Sequence, residues 1–78
     1  MPQRGNAIEG VVTSIIPNGR HGPYAVAIYQ GKSITFSLKP PVWNEQKYPH
    51  PGNRILLSLL KKTNSGWRAE KASQPVLH

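Results

Sequence analysis

The chain contains no cysteine and no aspartate, and its only acidic residues are Glu9, Glu45 and Glu70. Without thiols there is no disulfide framework and no thiolate zinc site, and a reducing compartment is the natural setting. No apolar run approaches the roughly 18 residues that a membrane-spanning helix needs. The opening stretch "MPQRGNAIEG" lacks the apolar core of a secretory signal, so a cytoplasmic location is expected. Catalysis finds little to work with. A nucleophile needs a base and an orienting group, yet His21, His50 and His78 are widely separated and no two acids pair for proton transfer. The histidine spacing suits no metal, and "NGRHG" does not have the spacing of a phosphate loop. The expectation is therefore no enzyme activity, no metal and no cofactor.

What the chain does have is positive charge. Ten Lys and Arg against three Glu give a net charge of +7 over 78 residues. That length points to one domain, and a domain of this size buries only about 60% of its unfolded surface, so its core is modest. Charge does not choose a fold, but it biases partners toward polyanions, chiefly nucleic acid or anionic membrane. No segment combines a basic face with an amphipathic helix, so membrane is set aside. The plainer alternative is that the charge only aids solubility.

Residues 1–6 read as a loose arm, 7–75 as the domain and 76–78 as a loose end. "AIEGVVTSII" (7–16) is β-branched and reads as a long strand, with Gly10 marking a bulge or bend. "PNGRHGP" is a loop. "YAVAIY" and "SITFSL" then alternate around a short Gly-containing link, which makes a β-hairpin. On simple alternation Val26, Ile28, Ile34 and Phe36 form the core face, with Tyr24 on their side. Ala25, Ala27, Ser33, Thr35 and Ser37 then face out. "KPPVWNEQKYPHPGN" carries four prolines, which exclude a long helix or a central strand. One helical turn from Pro41 to Glu45 remains open. "RILLSLLKK" fits either periodicity: Leu favours helix, while nine residues between turn signals suit a strand. We read it as a strand. "GWRAEKASQ" follows as the last. Five short strands must hide their edges, and closure into an all-β barrel does so. A small five-stranded OB-type barrel is the expected architecture, with an SH3-like barrel as the alternative.

The order "GVV", a Gly-containing loop, "GPYAVAI", "SITFS", a Pro-rich link, "PGNRILLSL" and "GWRAEKA" resembles a cold-shock domain over residues 8–73. The resemblance implies an OB barrel that binds single-stranded RNA or DNA on the exposed face of its first three strands, without cofactor or catalysis. Gly22 to Ala27 hold the place of the family's first binding motif, and Ser33 to Ser37 that of the second. Such motifs supply aromatic rings for base stacking, worth about 1–3 kcal/mol per base. This chain offers Tyr24 in the first and Phe36 in the second. Ser33, Thr35 and, on the first strand, Ser14 stand where the family places rings or His. Family placement turns Tyr24 outward, against simple alternation, and a bulge near Pro23 would reconcile the two.

Around that core stand the candidate binding residues. Arg20 and His21 lie in a Gly-flanked loop suited to gripping a phosphate, or simply solvated. Lys32 at the hairpin tip and Lys39 after the third strand could extend the same surface. Trp67 and Arg68 could join by stacking and ion pairing, with Lys61 and Lys62 nearby, although Trp67 could equally cap the core. Trp43 and Tyr48 are expected to plug one end of the barrel. The partner expected is single-stranded nucleic acid bound by a monomer. The alternative is an accessory module docking on a protein, within a ribonucleoprotein for example.

Overall fold

A computed structural model describes residues 7–75; the ends read as loose, 1–6 and 76–78, lie outside the described residues. Five strands form: β1 (Ile8–Ile16), β2 (Tyr24–Tyr29), β3 (Lys32–Ser37), β4 (Arg54–Thr63) and β5 (Gly66–Ser73). They close into a barrel in the order β1-β2-β3-β5-β4, all neighbours antiparallel except the parallel pair β3–β5. Read around the ring, β4-β1-β2-β3 is a Greek key, the arrangement of an OB-type barrel. Closure gives each of the five strands a hydrogen-bonded neighbour on both sides among the described residues.

The leucine-rich segment is a strand because two neighbours hold it. β4 pairs with β1 through Ile8↔Leu57 to Val11↔Arg54, and with β5 from Leu56↔Ser73 to Thr63↔Gly66. Within β4 the inward rhythm breaks once. Leu57 and Leu60 face in, Ser58 and Leu59 face out, and Leu59 carries a positive φ of 56°. β5 breaks in step, with Glu70 and Lys71 outside between buried Ala69 and Ala72.

Hairpin β2–β3 corrects the simple alternation. Ala25 and Ala27 are fully buried, while Tyr24, Val26 and Ile28 point outward and are half-buried. The register explains why. Ala25 pairs with Phe36 and Ala27 with Ile34, and residues directly opposite share a face. With Phe36 and Ile34 inside, the alanines must follow, and their small side chains leave room for the larger ones. Hydrophobicity alone favours Val26 and Ile28 for the interior; the volume of a narrow barrel overrules it. Tyr24 is thus outward, as the cold-shock placement has it, with no bulge at Pro23.

The bulge lies in β1, and not at Gly10. Its register slips between Val12 and Ser14, leaving Thr13 as the extra residue, its hydroxyl donating to Val26 O at 3.3 Å. Gly10 is instead a point of close packing, where a Cβ would come within 3.2 Å of Leu57 Cδ1.

The Pro-rich link closes one end. Its turn runs over Lys39–Trp43 rather than 41–45, with the Val42 and Trp43 N–H groups both donating to Lys39 O. Trp43 is 1% exposed, its ring centroid lies 6.0 Å from that of Phe36, and its Nε1 donates to Lys47 O at 3.1 Å. A buried indole thus keeps its polar edge satisfied. Tyr48 does not join it. That ring is 46% exposed, and Pro49 is buried in its place.

Candidate functional site

Three separate stretches of chain meet around one open groove of about 590 Å³. The loop between β1 and β2 supplies Arg20, His21, Gly22 and Pro23; β2 and β3 supply Tyr24, Thr35 and Ser37; and the β4–β5 turn supplies Thr63, Asn64 and Ser65, followed by Arg68.

Local bonds fix each wall. In the loop, Gly22 N–H donates to Gly19 O at 3.1 Å, which makes Arg20 and His21 the two central residues of a tight turn, both exposed. The Tyr24 ring lies against Gly19, where a Cβ would sit 2.7 Å from Tyr24 Cδ1 and 2.4 Å from Gly22 O. Glycine at that position is what lets the ring fold onto the loop. On the far wall, Thr63 Oγ1 donates to Gly66 O at 2.8 Å and accepts from Ser65 N–H at 3.2 Å, so the turn is tied to itself. Parallel pairing of β3 with β5 sets Thr35 beside Arg68, and Thr35 Oγ1 donates to Trp67 O.

Electrostatics favour an anion here. Arg20 and Arg68 line the groove. Lys39 packs over Gly22, its Nζ 3.1 Å from where a Gly22 Cβ would stand. Lys61 stands directly across from Arg68. Like charges so paired repel, and Glu70 offsets this by meeting Lys61 at 3.4 Å, the one salt bridge among the described residues. Glu9 lies opposite Leu56 on β1, and Glu45 accepts from Gln74 N–H at 3.3 Å, so neither borders the groove. The surplus is positive.

Arg20, His21, Tyr24 and Arg68 therefore come together, with Lys39 and Lys61 beside them. Phe36 is a correction. It backs the groove but is 1% exposed, its ring committed to the core, so it can stack no base. Trp67 is packed partly against the core, and Lys62 Nζ sits 5.4 Å from its ring centroid; the pair caps the barrel and does not line the groove. Lys32, opposite Tyr29 at the closed end of the hairpin, does not line it either. Thr63, Asn64 and Ser65 were not among the candidates. The turn "TNSG" is visible in the sequence, but its position beside the Arg20 loop depends on the β3–β5 pairing, which local pattern does not encode. No three His or Glu side chains come together as a metal site among the described residues, and no helix among them is long and apolar enough to cross a membrane.

Fold and site together define a small closed β-barrel of OB-type order, with a groove lined by Arg20 and Arg68 between the β1–β2 loop and the β4–β5 turn. Comparison with known protein families, curated proteins and solved structures finds no match to this chain.

Proposed function

We propose that this domain binds single-stranded nucleic acid, RNA or DNA, with weak sequence preference, in the groove between the Arg20–His21 loop and the β4–β5 turn. One observation carries the reading: Arg20 and Arg68, from distant stretches of chain, line one open groove whose wall holds an outward tyrosine, and Lys39 packs over Gly22 beside it. Arg20 and Arg68 pair with phosphates, and each ion neutralised releases counterions from the strand. Tyr24 offers a ring to one base, which is accessible only when that base is unpaired and unstacked. With one ring instead of several, affinity rests on charge. It belongs in the non-specific range of about 10⁻⁴ to 10⁻⁶ M at physiological salt. A cytoplasmic site of action accords with the absence of thiols.

The test is titration of a labelled single-stranded oligonucleotide at several salt concentrations, with a duplex of the same sequence alongside. Support is an affinity that falls steeply with salt and is greater for the single strand. Binding that ignores salt, or none at low salt, defeats the reading.

A further inference from the structure

A second surface lies on β1 and β4, and none of its residues lines the groove. The β1–β4 register sets Glu9 opposite Leu56 and Val11 opposite Arg54. All four point outward, because Gly10, Val12, Ile55 and Leu57, which alternate with them, are buried. Neighbouring strands lie about 4.8 Å apart and residues i and i+2 about 6.7 Å apart. The four side chains therefore form one compact cell. Acid and base occupy one diagonal, and two apolar side chains the other. Val11 keeps 40% of its surface exposed. Half-buried Ile28 extends the apolar area across β2. Further along β4, Leu59 is 64% exposed and holds a left-handed backbone conformation that branched side chains avoid. Exposed apolar side chains scattered singly call for no explanation, but Val11, Leu56 and Ile28 adjoin one another in the register, beside Glu9 and Arg54.

A cell of this pattern is its own complement. When a second copy is turned over about the Val11–Leu56 diagonal, Val11 meets the partner's Val11 and Leu56 meets the partner's Leu56. Glu9 meets the partner's Arg54, and Arg54 meets the partner's Glu9. That is the condition for a closed two-fold interface, in which one patch serves both subunits. We propose that the outer face of β1 and β4 is a self-association surface whose occupant is a second copy of this chain. Charge complementarity selects that occupant, since the Glu9–Arg54 diagonal matches itself on inversion. The net charge of +7 per chain opposes association at long range, but at 0.15 M salt the Debye length of about 8 Å confines that repulsion. A small patch of this kind gives a weak, concentration-dependent dimer. None of its residues lines the basic groove, and the proposal does not depend on what that groove binds.

The experiment is sedimentation of the full chain, without nucleic acid, from micromolar to millimolar concentration at physiological salt. The weight-average mass is expected to rise toward that of a dimer. Glu9→Arg and Arg54→Glu, each at an exposed position, should weaken association at least tenfold. Mixing those two variants should restore it, because the mixed pair sets opposite charges at both corners. Val11→Lys, on the other diagonal, should also abolish it, and circular dichroism of each variant checks that the barrel is intact. A wild-type chain that remains monomeric throughout overturns the proposal and leaves this face to a foreign protein. A dimer indifferent to these substitutions, or a mixture that stays monomeric, overturns it as well.

Discussion

Ala25 stands directly across the β2–β3 ladder from Phe36, and both are sealed inside the barrel. The neighbouring inward rung, Ala27 with Ile34, repeats the pairing of a small side chain with a large one. A five-stranded barrel is narrow, and two large side chains on one rung would overfill it. Ala25→Leu should therefore destabilise the fold by about 1–3 kcal/mol, the usual cost of extra methylenes in a packed core. Chemical denaturation should show a lower midpoint with an unchanged slope.

The same geometry separates the two rings of the binding-motif positions. Phe36→Leu should cost stability of the order of 1 kcal/mol, as a core truncation does, and leave oligonucleotide affinity unchanged while the protein is folded. Tyr24→Ala should weaken binding by about 1–3 kcal/mol, the range for loss of one stacked base. Equal effects of the two on affinity would contradict the inward placement of Phe36 or the role given to Tyr24.

Five strands and the hairpin were legible in the sequence because each rests on local chemistry: β-branched runs, alternation and turn residues; barrel closure followed from the need of short strands to hide their edges. The leucine-rich β4 was legible only through its length. What local pattern could not give was decided between strands. Alternation names two faces for β2 but not which is inner, and the answer came from Phe36 and Ile34 on the paired strand. Arg20, His21, Tyr24 and Arg68 were legible as cations and a ring near turns. That Asn64 and Ser65 complete their groove follows from the parallel pairing of Ile34 with Trp67 and Thr35 with Arg68, a non-local contact.

Gly19 is where fold and site meet. A Cβ at that position would collide with Gly22 O and the Tyr24 ring, so Gly19→Ala must move the loop or the ring. We expect a loss of about 1–3 kcal/mol in stability, together with weaker oligonucleotide binding, as Arg20 and Tyr24 are displaced together. Gly31→Ala is the control: nothing lies within 4 Å of its Cβ, and it is remote from the groove lining. Its positive φ of 78° will still cost stability, so affinity is the discriminating readout, and it should be unaffected.

Arg20→Ala and Arg68→Ala should each flatten the dependence of log affinity on log salt by about 0.7, the contribution of one phosphate contact on a single strand. Lys47→Ala removes the same charge from the Pro-rich link, away from the groove lining, and should change the slope far less. If all three variants lose equal slope, only net charge matters and the groove has no special part in binding.

Glu70 provides the opposite test. It is the one acid beside the groove, held 3.4 Å from Lys61 with both side chains well exposed. Such a surface pair contributes roughly 0–1 kcal/mol, so Glu70→Gln should leave the melting temperature close to that of the wild type. Lys61, released next to Arg68, becomes available to phosphate. Affinity for a single strand should rise several-fold at low salt, with a steeper salt slope, and return to wild-type values as salt is raised. Glu45→Gln makes the same change in net charge at a site that contacts Gln74 instead, and should tighten binding less. An equal gain from both would mean that the strand responds to the charge of the whole molecule and not to cations gathered at the groove.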